Sequence, residues 1–192
     1  MIEIINISKN FENNLVIDNF NATLEAGINC IMGPSGVGKT TLTNIIAGIS
    51  KPDSGKIKGS GLVSMVFQED RLLENETALT NILFVSNNKK DKEATIKAKI
   101  LLKKADLENE LNTKVKDLSG GMKRRVALCR ALLANYDTLI LDEPFKGLDE
   151  KIKKNIMDMV KEYTKGKVVV FITHDIREAE YLNAKILNNF DL

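Results

Sequence analysis

The sequence predicts an α/β fold: a mainly parallel sheet with helices packed around it, antiparallel strands at the N-terminus and an inserted helical lobe. Three observations predict it. Short apolar runs alternate with segments of helical period along most of the 192 residues. Two of these runs, residues 139–141 and Val168–Ile172, are unbroken, as strands covered on both faces require. A third, residues 28–32, leads through a glycine-rich turn straight into a helical pattern.

Taken in order, Ile2, Ile4 and Ile7 mark a first strand and residues 15–24 a second, with Asn13-Asn14 as the turn between them. The strand at 28–32 precedes a helix starting near Lys39, whose apolar face is expected to carry Leu42, Ile45, Ile46 and Ile49. Pro52-Asp53-Ser54-Gly55 has turn chemistry at each position. Residues 62–67 form another strand, ending at Gln68. Residues 72–117 are lysine-rich, glycine-free and helical in propensity, with Ile96, Ile100 and Leu101 as the expected apolar face. Helices are expected at Gly120–Leu133 and 149–163, strands at 139–141 and Val168–Ile172, and a short final helix capped by Asp175. The whole chain, 1–192, reads as one domain, with a catalytic core of 1–71 and 118–192 and a helical subdomain of 72–117.

Composition narrows the function. Hydrophobic residues make up 43% and charged residues 28%, the balance of a soluble globular protein. A net charge of +2 gives no electrostatic case for nucleic acid, which demands a strongly basic face. Cys30 and Cys129 are too few for a disulfide framework and suit core packing in a reducing compartment. No apolar run approaches the roughly 20 residues needed to cross a bilayer. A cytoplasmic protein is expected, and any membrane step needs another polypeptide. Lys123-Arg124-Arg125 and the charges from Lys89 to Lys104 read as solvated faces.

The turn before the first helix carries chemistry. Gly33-Pro34-Ser35-Gly36-Val37-Gly38-Lys39-Thr40 matches G-x-x-x-x-G-K-[ST] between a strand and a helix. Glycines let the backbone curl its amides around an anion, and the helix N-terminus adds unpaired N–H groups and its dipole. Lys39 would reach the β- and γ-phosphates of a nucleotide, and Thr40 would offer its hydroxyl to Mg²⁺. An unliganded glycine-rich turn is the plainer alternative.

Asp142 and Glu143 close the apolar run at 139–141, at the strand end where open α/β sheets bind ligands. Asp142 would hold Mg²⁺, and Glu143 would orient and polarise an attacking water. Gln68, at the end of its own strand, could touch both. His174, the only histidine, follows Val168–Ile172 at the same edge and is assigned to the γ-phosphate, against the plain alternative of a packed or exposed ring. Ser119 is a good N-cap, and Gly120 and Gly121 expose helix amides to an anion. Two anion-binding helix ends in one chain suggest a head-to-tail dimer with two ATP molecules at its seam.

Together these residues resemble the nucleotide-binding subunit of ABC transporters, over nearly the whole chain. The resemblance implies a phosphate-loop NTPase core of ABC type that hydrolyses ATP with Mg²⁺. It places Lys39, Thr40 and Thr41 in the Walker A loop, Gln68 in the Q-loop and Ser119-Gly120-Gly121 in the signature. Asp142 is then Walker B, Glu143 the catalytic glutamate, Leu148-Asp149 the D-loop and His174 the switch histidine. Phe11 stands where the family stacks an aromatic on adenine, or is a core aromatic beside a strand end. Met122 replaces a common glutamine. No regulatory domain is expected after His174, and the stretch between Gly55 and Gln68 looks abbreviated. The runs 66–73, 118–133 and 142–149 resemble importers of small anions such as sulfonates, taurine or nitrate. Implied partners are a second copy or homologous ATPase subunit, a transmembrane permease and, for import, a solute-binding protein. The site would lie on the inner face of the membrane, with Leu72, Leu73 and Leu79 as the expected permease contact. An exporter ATPase or a soluble ABC ATPase with a cytosolic partner are the alternatives.

Overall fold

A computed structural model of the chain describes residues 1–12, 14–86 and 91–187. In chain order its elements are β1 (Ile2–Phe11), β2 (Asn14–Leu24), β3 (Gly27–Ile31), α1 (Lys39–Ile46), β4 (Ser54–Lys58), β5 (Val63–Val66), α2 (Ala78–Leu83), α3 (Lys92–Lys104), α4 (Gly120–Leu133), β6 (Thr138–Asp142), α5 (Glu150–Tyr163), β7 (Val168–Ile172), α6 (Ile176–Tyr181) and β8 (Lys185–Leu187). Packing divides them into two units. One comprises Met1–Met65, Tyr136–Glu143 and the described part of Thr164–Leu192; the other comprises Val66–Asn135 and Pro144–Tyr163.

The first unit contains two sheets. β2, β1 and β4 pair antiparallel in that order. The second sheet runs β5-β6-β7-β3-β8, with β6, β7, β3 and β8 parallel. The spacing of Ile2, Ile4 and Ile7 breaks strict alternation, and the structure shows why. Asn6 takes φ +50° and the β1–β2 register shifts between Ile4 and Ile7, a bulge that returns Ile7 to the buried face. These three isoleucines join Ile17, Phe20 and Leu24 of β2, Leu42, Ile45 and Ile46 of α1, and Ile31, Ile140, Val170 and Ile172 of the parallel strands in one core. Burying each such side chain is worth about 1.5–3 kcal/mol. All five residues of β6 and of β7 are buried, as their unbroken apolar runs predict.

Ile49 departs from its expected place and is 56% exposed. α1 ends at Ile46, and Gly48 turns left-handed at φ +71°. The Ile49 amide then closes onto the Asn44 carbonyl, carrying the side chain off the helix face. The turn read at 52–55 is also shorter than expected, since Ser54 and Gly55 open β4 and Ser54 pairs with Ser8 of β1. Gly55 lies against the Asn6 and Ile5 carbonyls at φ +83°, too close for any Cβ. Of the Asn13-Asn14 turn, Asn13 lies outside the described residues and Asn14 begins β2. β8, which pairs with β3, has no counterpart in the sequence reading.

In the second unit α4 packs against α2 and α3, and α3 also meets α5. The expected face of α3 is corrected. Ala98, Leu101 and Leu102 are buried, whereas Ile96 is 58% exposed and Ile100 is exposed too. Positions 98, 101, 102 and 105 form the i, i+3, i+4, i+7 stripe, and the two isoleucines fall outside it. The Lys89 end of the charged run lies outside the described residues; within α3, Lys97 pairs with Glu93 at 2.7 Å on the surface. Both cysteines are buried and free, and burial pushes their thiols up to about 12. Among the described residues, no helix is long and apolar enough to cross a membrane.

Candidate nucleotide-binding site

The site is assembled by register. In the parallel sheet Asp142 stands opposite Ile172, and Ile31 stands opposite Ile172 on its other side. The residues that follow each strand therefore emerge along one edge. Beyond β3 come Gly33 to Lys39, beyond β6 Glu143, and beyond β7 His174.

In the loop, Gly36 and Gly38 take φ +83° and +96°, which only glycine adopts without strain. Gly38 also lies against β2: a Cβ there would come within 2.8 Å of the Val16 carbonyl oxygen. Val37 packs partly against the core, while Pro34 and Ser35 are exposed. Lys39 opens α1 and is buried, its Nζ donating to the carbonyls of Gly33 (2.8 Å) and Pro34 (2.6 Å). Burial lowers its pKa, and the carboxylates of Glu143 and Asp142 act in the opposite sense. Thr41, next along α1, is half-buried.

Thr40 Oγ1 donates to Asp142 Oδ2 at 3.0 Å. A hydroxyl and a carboxylate so paired fit Mg²⁺, which takes one or two protein oxygens and leaves the rest to waters and phosphates. Among the described residues no group of three or more His, Cys, Asp or Glu gathers into a metal cluster. Glu143 sits at φ +47°, an uncommon conformation for a residue with a side chain. Its amide is held by the Ile172 carbonyl at 3.0 Å, and its Oε1 lies 3.1 Å from His174 Nε2.

Two residues absent from the sequence reading brace the turn that carries that histidine. Thr173 Oγ1 donates to the buried Glu178 Oε2 at 2.6 Å and accepts from the Asp175 amide at 3.1 Å. Asp175 then caps α6, as expected, accepting from the Arg177 amide. Nothing in the local pattern marks Thr173 or Glu178, because their partnership spans a turn.

Phe11 ends β1 and is 51% exposed, which excludes the core-aromatic alternative; the Lys9 ammonium lies 5.5 Å from its ring centre. Gln68 and Ser119-Gly120-Gly121 belong to the second unit. Gln68 is exposed, two residues past β5. Ser119 caps α4, its Oγ accepting from the Met122 amide at 3.3 Å. The reading of Lys123-Arg124-Arg125 as a solvated face is overturned. Arg124 is 7% and Arg125 5% exposed, because their guanidiniums are satisfied by backbone carbonyls: Phe67 and Gln68 for Arg124, Ala105 and Asp106 for Arg125.

The fold and this edge define a phosphate-loop nucleotide-binding domain. The family model described as ABC transporter matches residues 17–146. The spermidine/putrescine import ATP-binding protein PotA of Fusobacterium nucleatum subsp. nucleatum is 35% identical over 96% of this chain and 54% of its own. The aliphatic sulfonates import ATP-binding protein SsuB 1 of Rhodococcus jostii is 33% identical over 97% of this chain and 78% of its own. The Nod factor export ATP-binding protein I of Burkholderia lata is 35% identical over 94% and 65%. Among solved structures, a dimeric post-hydrolysis state of the ATP-binding cassette MJ0796 bound to ADP and Pi superposes with a TM-score of 0.84 at 32% identity, covering 94% of this chain and 91% of that one. The chain belongs to the ABC transporter family, as its ATP-binding domain. It spans little more than half the length of the PotA relative.

Proposed function

We propose that this domain hydrolyses ATP, pairing head to tail with a second copy or a homologous subunit around two Mg-ATP to drive a separate membrane permease. The observation that carries this reading is the convergence on one sheet edge of the Lys39 ammonium, the Thr40–Asp142 pair at 3.0 Å and the Glu143–His174 pair at 3.1 Å. Mg²⁺, when bound, neutralises charge on the phosphates. Thr40 and Asp142 hold it, with Gln68 as a further contact. The loop from Gly33 to Thr41, through the backbone N–H groups of every residue but Pro34, and the Lys39 ammonium bind the phosphates, and Phe11 stacks on the base. Glu143 orients a water and takes its proton as the water oxygen bonds to the γ-phosphorus and the bond to the β–γ bridging oxygen breaks. His174 holds the Glu143 carboxylate in place and contacts the γ-phosphate.

The second anion site supports dimerisation. A Cβ on Gly120 would meet nothing within 4 Å, and one on Gly121 would make only ordinary contacts. Both residues have helical backbone, where glycine costs about 0.5–1 kcal/mol relative to alanine. The chain's own packing thus gives no reason for two glycines there, whereas close approach of a partner's nucleotide does. Gly120→Ala should leave the melting temperature unchanged or raised, yet weaken the ATP-dependent dimer in light scattering by about tenfold or more, one hydrogen bond to a charged group. A dimer of unchanged strength would remove this role from the signature glycines.

We place the protein on the inner face of the cell membrane, importing a small solute. The import relatives favour that direction, and the sulfonate relative supports a small organic anion. The Nod factor relative keeps export as the second reading. Leu73 is exposed and Leu72 and Leu79 are half-buried in the second unit, which supports them as the permease contact. The deciding experiment is affinity purification of the tagged protein from detergent-solubilised native membranes. Recovery with a multi-span protein is expected, and an accompanying solute-binding protein would fix import. Recovery only with a cytosolic assembly would overturn the transport reading.

A further inference from the structure

We propose that Arg124 is a positioning residue that fastens the loop carrying Gln68 to α4, so that Gln68 moves with the helix whose first turn presents Ser119-Gly120-Gly121. The function of this coupling rests on the reading of Gln68 as a contact to the metal ion.

The loop from Phe67 to Arg71 has no regular ladder partner, and arginines take that place. Arg124 Nη1 donates to the Phe67 carbonyl at 2.7 Å and Nη2 to the Gln68 carbonyl at 2.5 Å. Its Nη1 also lies 3.1 Å from Asp70 Oδ1. That oxygen is buried and accepts no aligned hydrogen bond, so this contact is an ion pair of two charges partly removed from water. Arg130, six residues further along the same helix, donates from Nη1 to the Arg71 carbonyl at 3.0 Å and from Nη2 to the Asp70 carbonyl at 3.1 Å. Arg71 turns at φ +45°, and its guanidinium lies 3.8 Å over the Phe67 ring.

Four of the five loop carbonyls therefore accept from one helix. A planar fork on a buried stem fixes two neighbouring carbonyls at once, a geometry that a lysine ammonium cannot reproduce. Arg125 adds rigidity at the other side of α4 by holding the carbonyls of Ala105 and Asp106, at the end of α3. A displacement of the N-terminal turn of α4 is thereby imposed on the Gln68 backbone through Arg124. Arg124 touches neither nucleotide nor metal in this scheme; it acts through Gln68.

The test uses the full chain with Arg124→Lys, Gln68→Ala and the double variant, plus Asp70→Asn as a milder loosening of the same clamp. Amide hydrogen exchange in the peptide spanning 67–71 should rise about tenfold in Arg124→Lys, the loss of one charge-assisted bond, and less in Asp70→Asn. Mn²⁺ affinity, read by electron paramagnetic resonance with AMP-PNP, should weaken in Arg124→Lys and in Gln68→Ala, and no further in the double variant. Unchanged exchange in both Arg124→Lys and Asp70→Asn would overturn the clamp. Raised exchange with unchanged Mn²⁺ affinity, where Gln68→Ala does weaken it, would overturn the positioning role and leave the reading of Gln68 standing. Unchanged Mn²⁺ affinity in Gln68→Ala would instead overturn that reading, and the positioning role with it.

Discussion

Glu143→Gln is expected to lower ATP turnover at least about 10²-fold, the lower end of what a positioned general base contributes, while ATP binding persists. The substitution keeps the volume and planarity of the side chain and removes only its charge and basicity. Glutamine can still hydrogen-bond His174 across the 3.1 Å that now separates Glu143 Oε1 from Nε2. It also inherits the same left-handed backbone at φ +47°, so the fold has no new strain to absorb. Melting temperature should therefore be unchanged. With hydrolysis blocked and binding intact, ATP should hold the dimer closed, and light scattering in Mg-ATP should report a dimer that the unsubstituted chain shows only transiently. Equal turnover in the two proteins would take the general-base role away from Glu143. A lost dimer with lost turnover would mean that the carboxylate is needed for binding.

What the sequence made legible was local. The loop from Gly33 to Thr40 and the strand-end acids Asp142 and Glu143 are contiguous patterns whose residue types state their geometry, and the parallel register carries them to one edge. The lone His174 was legible only through its place after an apolar strand. What stayed hidden depends on partners distant in the chain. Arg124 and Arg125 look like a solvated charge run until the carbonyls they satisfy, 57 and 20 residues away, are in view. Ile96 and Ile100 look like a core face because hydrophobicity alone does not carry the phase that Ala98, Leu101 and Leu102 set. A helix's buried stripe is decided by which neighbours reach it, and small residues such as Ala98 give little signal of that. Gln68 and the signature glycines lie in a different unit from Lys39 and Asp142, so their joint action is a proposal about function rather than a feature of either unit.

Lys39→Met separates fold from function most sharply. The Lys39 ammonium is buried beneath the loop and donates to two carbonyls of that loop. Burial lowers its pKa, so the folded state holds the proton less tightly than the unfolded chain does. The sign follows: folding is opposed while the group is charged in both states, and the opposition fades only as pH rises from the lowered value towards 10.5. Methionine matches the stem without the charge, so at neutral pH the variant should melt at the same temperature or higher, despite losing the two carbonyl bonds. Nucleotide binding should move the other way. Each charge-assisted bond to a phosphate is worth about 1.5–3 kcal/mol, so ATP affinity should fall by at least about tenfold, and further if the ammonium touches both phosphates. Calorimetric titration with Mg-ATP and a thermal melt on the same samples read the two effects. A lower melting temperature with preserved affinity would make Lys39 a structural pin of the loop and would remove it from the nucleotide.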